Sequence, residues 1–226
     1  MPPEGRHGSK LDHAQDVMER FVHEFPDAVL IGGWATYLRT GLAKSHDIDV
    51  IVDHSTLDRL RAKHQLSSSS HFSGRKFEFK IEGIAVDVYP VYQSKLGQQL
   101  QVPVEMLIIH SEKIERVRVL TAEGQFVAKM AALLDRPDTL PGEKDRREIL
   151  ALLDSSTGLD FHVISQLLWQ SGWQGERLAE VLGHTFDLLL ETESLIKRDR
   201  TTLRLTRARA LDGARAMEKS ERELDS

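Results

Sequence analysis

The chain has 226 residues, 40% of them hydrophobic and 29% charged, with a formal net charge of −5 at pH 7, which is the make-up of a globular protein able to bury a core without staples. It contains no cysteine, which excludes disulfides, thiolate zinc sites and cysteine nucleophiles. No run approaches the ~20 apolar residues of a membrane span, and the opening MPPEGRHGSKLDHAQ lacks the apolar core of a secretory signal, so a cytoplasmic protein away from the membrane is expected.

Residues 1–10 are rich in Pro, Gly and charge and read as disordered. Residues 11–24 repeat apolar side chains at helical spacing (Leu11, Ala14, Val17, Met18, Phe21, Val22). A short buried strand follows at 28–31, ended by Gly32-Gly33, then a short helix over 34–42 closed by Gly41. DIDVIV at 47–52 is a second strand, and 55–64 is a helix capped by Ser55 or Thr56. A polar loop is expected at 67–73 and strands at 76–81 and 84–89, the latter stopped by Pro90. Weaker strand signals lie at 102–109 and 117–120. Amphipathic helices are expected at 125–135 and 144–154, with the loop RPDTLPGE between them. A boundary at 155–160 precedes helices alone, from 161 to about 219. The order implies an α+β sheet domain over 11–155 and a helical C-terminal region over 156–226.

The chemistry concentrates in Asp47-Ile48-Asp49. Alternate strand residues share a face, so the two carboxylates project together while Ile48 and Val50 turn into the core. Side by side they raise each other's pKa unless a cation lies between them, and Mg²⁺, with Mn²⁺ as an alternative, suits such oxygen ligands. Asp87 interrupts the otherwise apolar strand IAVDVY and is the natural third acid. Three carboxylates on adjacent strands can serve two-metal phosphoryl transfer, with Asp87 as a ligand to the ion that activates the attacking hydroxyl, or as its general base. Gly32-Gly33, between a strand and a helix, permits close backbone approach and presents free N–H groups to a phosphate.

Ile31-Gly32-Gly33-Trp34-Ala35, followed by Lys44-Ser45-His46-Asp47-Ile48-Asp49-Val50, resembles the signature of the polymerase-beta-type nucleotidyltransferase superfamily, and Gly83 to Val88 fits its third acid, Asp87. Within that superfamily the chain is most similar to the AbiEii and MenT nucleotidyltransferase toxins. In that pattern Ser45 stands in the place of a threonine and Lys44 approximates an arginine. Lys129 matches the helix lysine, and Lys144-Asp145 matches the Lys-Asp pair that opens a later helix. The resemblance covers residues 28–154. It implies a nucleotidyltransferase-fold mixed sheet flanked by helices, with catalytic residues Asp47, Asp49, Asp87 and Lys129 and metal ligands Asp47, Asp49 and Asp87. Gly32, Gly33, Lys44, Ser45, Lys129, Lys144 and Asp145 are the implied nucleotide contacts. It also implies transfer of NMP from an NTP to RNA, the tRNA 3′ end first, with release of pyrophosphate, and a separately encoded cognate antitoxin.

Other readings of the same residues stay open. Lys129 borders an apolar stripe, Asp145 suits a helix start for dipole reasons, and Ser45 suits a turn. Trp34, Trp169 and Trp173 read as core, and Arg75 and Lys76 as a solvated hairpin first and as nucleic-acid contacts second. Residues 197–219 carry eight Lys or Arg against three Asp or Glu. This stripe is either a solvated helix or a basic rim for the cleft. An aminoglycoside-type enzyme with an acidic acceptor cleft and a catalytically silent binding module are the rival functions.

Overall fold

The computed structural model describes residues 9–71, 74–155 and 158–224. Of residues 1–10, read as disordered, 1–8 lie outside the described residues, as do two positions of the polar loop (72–73) and two of the expected boundary (156–157), whereas Ser9 and Lys10 are ordered as the cap and first residue of a helix. The first helix, α1, spans Lys10–Glu24 and begins with a capping box between Ser9 and Asp12. Strand β1 (Val29–Ile31) runs into α2 (Gly32–Thr40), which ends on Gly41 with a positive φ. Strand β2 is Asp47–Val52 and α3 is His54–Lys63. The cap of α3 is Asp53, not Ser55 or Thr56; its carboxylate accepts from the Thr56 backbone N–H at 2.7 Å.

Strands β3 (Ser67–His71), β4 (Gly74–Ile81) and β5 (Ile84–Pro90) follow. The polar loop expected at 67–73 is thus largely an edge strand. Its serines carry no apolar alternation, and it is held by the backbone ladder to β4, from Ser67 opposite Glu78 to His71 opposite Gly74. A two-stranded ribbon of β6 (Lys95–Leu96) and β7 (Val102–Pro103) leads into α4 (Val104–Ile108). The strand signal at 102–109 is therefore mostly a helical turn, in which Val104 and Leu107 are buried three positions apart. Strand β8 (Ser111–Ile114), too polar to signal itself, forms a hairpin with β9 (Val117–Leu120).

Helix α5 is Ala122–Asp135. Helix α6 runs Leu140–Ser155 and begins inside the expected loop, because Pro141 is tolerated in a first helical turn and Thr139 Oγ1 accepts from Gly142 N at 3.1 Å. Helices α7 (Phe161–Gln170), α8 (Glu176–Leu190) and α9 (Lys197–Leu224) complete the chain, with α9 packed along both α7 and α8. No helix among the described residues is long and apolar enough to cross a membrane.

The fold is α+β. A seven-stranded mixed sheet has the order β3-β4-β5-β2-β1-β9-β8, with β2 parallel to β5 and antiparallel to β1. One face is a continuous core: Ile48, Val50, Val52, Val86, Val88, Phe77 and Phe79 pack against Val17, Met18 and Phe21 of α1 and Leu57 and Leu60 of α3. The opposite face meets α5 through Ile31 and Ile51, and that core extends into α7, α8 and α9. The acids of β2 alternate out of the first core onto this second face, at the end of β2 where α5 and α6 leave space. Trp34 is fully buried, and Trp169 and Trp173 pack against the second core, as their sequence context suggests.

His64 closes the first core. Its ring stacks on Phe79 at 4.5 Å, and its Nε2 is buried without a hydrogen-bond partner. Burial lowers its pKa below the ordinary 6.5. Because the unfolded chain takes up that proton more readily, His64 favours the fold above about pH 6.5, and this contribution is lost as pH falls. His64→Phe is expected to reduce the drop in melting temperature between pH 7.5 and pH 5, measured by differential scanning calorimetry of both proteins.

Candidate active site

Asp49 of β2 and Asp87 of β5 are direct register partners, and Asp47, two residues earlier in β2, shares their face. Neighbouring strands lie ~4.8 Å apart, so the pairing puts the two carboxyl-bearing residues side by side. All three acids line one cavity of about 930 Å³, together with Gly32, Gly33 and Ser45. Asp47 accepts a hydrogen bond from Ser45 Oγ at 2.6 Å. Asp87 is paired with Lys76 Nζ at 2.9 Å. Among the described residues, no hydrogen bond or salt bridge holds the Asp49 carboxylate.

The electrostatics follow from that geometry. Burial, followed by the charges of Asp47 and Asp87, pushes the Asp49 pKa up from 3.8 to about 7. Burial also raises Asp87, against the pull of Lys76. Tyr89, two residues beyond Asp87 on the same face, lines the cavity as well. Burial and the nearby acids raise its pKa so far that the phenol stays protonated.

The glycine pair is fitted to these acids. Gly32 has a φ of +66°, and a Cβ there would lie 2.2 Å from Asp49 Oδ2. A Cβ on Gly33 would lie 2.6 Å from Ser45 Oγ and 3.2 Å from Lys144 Nζ. The start of α2 is held from behind by buried Gln125, whose amide donates to Gly32 O at 2.8 Å and to Thr36 Oγ1 at 2.9 Å.

Lys129 lies on the opposite wall, 7% exposed, among carboxylates that are almost fully buried. It pairs with Asp145 at 3.2 Å and with Glu148. Burial alone would lower the Lys129 pKa, but Glu148 and Asp145 outweigh it and raise it, so the ammonium stays charged. Asp145 is also held by Arg136 at 2.8 Å. Its carboxylate is thus committed to two cations of the protein, and it sits in the second turn of α6, not at the start of the helix. Lys144 lines the cavity as well.

Two expected features lie elsewhere. Lys44 is not among the residues lining the cavity; its ammonium is held by Asp12 of α1 at 2.7 Å. The basic stripe of α9 does not form the cavity rim, because every residue lining the cavity lies between positions 31 and 145. Sequence reading missed Gln125 and Glu148; Arg75 is exposed, as the solvated-hairpin reading has it, but lines the cavity, and Lys76 lines it too and is held by Asp87. The signal for Glu148 was present: Asp145 and Glu148 are three apart on a helix face whose neighbours, Ile149 and Leu152, are core.

Hard carboxylate oxygens beside an unneutralised Asp49 are the donor set a divalent ion prefers. Asp47 and Asp49 would hold such an ion. Among the described residues, no three His, Cys, Asp or Glu side chains are arranged to hold a metal ion as they stand; Asp87 is already engaged by Lys76.

The sequence matches no protein-family model and no curated protein. The fold is similar to a nucleotidyltransferase candidate from Thermotoga maritima at 18% identity and TM-score 0.43, covering 55% of this chain and 88% of that one. It is also similar to JHP933 from Helicobacter pylori, at 14% identity and TM-score 0.47, covering 96% and 97% of the two chains. An antigenic nucleotidyltransferase-like protein from Paracoccidioides brasiliensis matches at 16% identity and TM-score 0.41, covering 80% of this chain and 93% of that one. With every score below 0.5, the functional reading rests on the geometry of the site itself.

Two outcomes are expected. With its folded pKa near 7 and an ordinary value of 3.8, Asp49 is least costly below the ordinary value, and its penalty grows as pH rises from about 4 to 7 and is constant above. Asp49→Asn should therefore melt higher than wild type in metal-free buffer. The gain should grow from pH 4 to pH 7 and level off above, with an upper bound of about 4 kcal/mol. Lys129→Met should lower stability by ~3–5 kcal/mol in urea titration, because it removes the cation shared by two buried carboxylates and leaves Glu148 with only Lys144, 3.8 Å away. Adding Glu148→Gln to that variant should recover part of the loss.

Proposed function

We propose that this protein is a metal-dependent nucleotidyltransferase that moves NMP from an NTP to an RNA hydroxyl, the tRNA 3′ end first, and releases pyrophosphate. We further propose that it acts as a toxin restrained by a cognate antitoxin. The observation that carries the enzymatic reading is the register pairing of Asp49 with Asp87 directly against the Gly32 turn. Carboxylates for a divalent ion and a backbone cradle for phosphate meet there in one cavity.

In this reading Mg²⁺, or Mn²⁺ in its place, supplies neutralisation of the triphosphate. Gly32 and Gly33 let the phosphates approach the N-terminus of α2, and Ser45 orients Asp47. Lys129 and Lys144 face the departing negative charge, with Lys129 fixed in place by Asp145 and Glu148. The acceptor oxygen bonds to the α-phosphorus as the bond from that phosphorus to the β-phosphate bridging oxygen breaks, and the hydroxyl proton passes to a carboxylate of the trio. Tyr89, kept protonated, lines the same cavity.

The walls of the cavity favour an anionic acceptor over a cationic aminoglycoside. Of the acids lining it, Asp135 is occupied by the backbone N–H groups of Gln98 and Gln99, and Asp145 by Lys129 and Arg136. Arg75 and Lys95 line the cavity with no carboxylate paired to either among the described residues. Apart from the acid trio, the cavity wall therefore presents cations without a paired carboxylate, which suits an anionic acceptor.

The test is label transfer from each of the four α-labelled NTPs with Mg²⁺ to total tRNA, to protein and to aminoglycosides in parallel. Label on tRNA that falls at least a hundredfold in Asp47→Ala and Asp49→Ala is expected. Label on an aminoglycoside instead would keep the chemistry and overturn the acceptor. A folded wild-type protein that binds neither Mg²⁺ nor NTP would overturn the enzyme and leave a silent binding module.

A further inference from the structure

Lys76 makes a different use of the third acid from the one its position first suggests. It stands two residues before Glu78 in β4, and Glu78 is the register partner of Asp87. Lys76, Glu78 and Asp87 therefore share the face that carries Asp49. The lysine is anchored twice, at 2.7 Å from Glu78 Oε1 and 2.9 Å from Asp87 Oδ2. Lys76 and Asp87 are only 23% and 22% exposed, so the pair is not a loosely solvated surface contact.

A divalent ion binds a carboxylate oxygen at ~2.0–2.6 Å. An ammonium already 2.9 Å from Asp87 Oδ2 competes for that oxygen and repels a second cation arriving beside it. No ammonium competes at the other two acids. Asp47 accepts from the neutral Ser45 hydroxyl, and the nearby Lys129 is committed to Asp145 and Glu148. The unmet demand for a cation thus lies at Asp47 and Asp49 alone.

We propose that Lys76 is a resident cation that takes the place of a second divalent ion at Asp87, so that the protein binds its nucleotide with one divalent ion and not two. Glu78 serves as the second anchor that keeps the lysine there. Lys76 is a positioning residue for Asp87 and sets the metal stoichiometry of the site. The proposal rests on the nucleotidyltransferase reading, and ion counting separates the fates of the two.

The experiment titrates the full chain with Mn²⁺ in the presence of a non-hydrolysable NTP analogue, and counts the ions held in each protein–analogue complex by loss of the free Mn²⁺ electron paramagnetic resonance signal, after correcting for ions on analogue that is not protein-bound. Wild type should hold one ion in each complex, at the Asp47 and Asp49 pair. Lys76→Met should bind one further ion, and Lys76→Arg, which keeps the cation, should match wild type. A wild-type count equal to that expected of two protein-bound ions overturns the proposal without recourse to any variant. So does a Lys76→Met protein that binds analogue normally and shows the wild-type count. Failure of wild type to bind either analogue or Mn²⁺ would overturn the transferase reading, and the lysine's role with it.

Discussion

The parallel pairing of β2 with β5 sets Asp49 opposite Asp87 and Asp47 one step away, and most of the site is arranged around the repulsion this creates. Carboxylates at strand spacing cannot all ionise in a partly buried cavity without compensation. The molecule compensates the three unequally. Asp47 receives a hydroxyl from Ser45, Asp87 receives an ammonium from Lys76, and Asp49 receives none and has its pKa raised to about 7. That inequality makes Asp49 the point where an external cation gains most. A sheet built for stability alone would place an apolar residue there, as it does at Ile48 and Val50 on the opposite face.

The same logic operates in the wall across the cavity. Lys129 is nearly buried, which would ordinarily drive an amine towards its neutral form. Asp145 and Glu148, three apart on α6, reverse that tendency, and Arg136 balances the surplus negative charge. The network ties α5 to α6 and so holds a charged group at a fixed place in a low-dielectric wall. Such a network adds little net stability, since desolvating its members offsets their attraction. Its value lies in position: a charge held rigidly beside the acids does not have to be reoriented when a polyanion arrives.

The sheet, its main helices and the three acids were legible in the sequence because each leaves a periodic signature. Strict alternation in DIDVIV places Asp47 and Asp49 on one face, and the apolar flanks of Asp87 mark a buried strand. What failed to show was set by long-range backbone pairing or by partners distant in sequence. The serine-rich β3 has no apolar alternation and exists as the ladder partner of β4. Lys44 was read from its place in the motif the chain resembles, whereas Asp12 claims it through space. Lys76 looked like a solvated hairpin residue because its neighbours are polar, and only the register of β4 on β5 brings it to Asp87. The charge run of α9 announced itself strongly but lies on helices that pack behind the site.

The glycines join the two halves of this arrangement. Gly32 holds a positive φ at a position where any Cβ would collide with the Asp49 carboxylate, so the turn is close-fitting on its concave side. It is equally fixed on its convex side, where Gln125 donates to the Gly32 carbonyl and to Thr36 from within α5. The start of α2 is therefore clamped between the acids on the sheet and a buried amide on a helix. Glycine takes this conformation without steric cost, and here Asp49 on one side and Gln125 on the other fix it, so the turn, the unneutralised Asp49 and the cavity between them form a single preorganised feature.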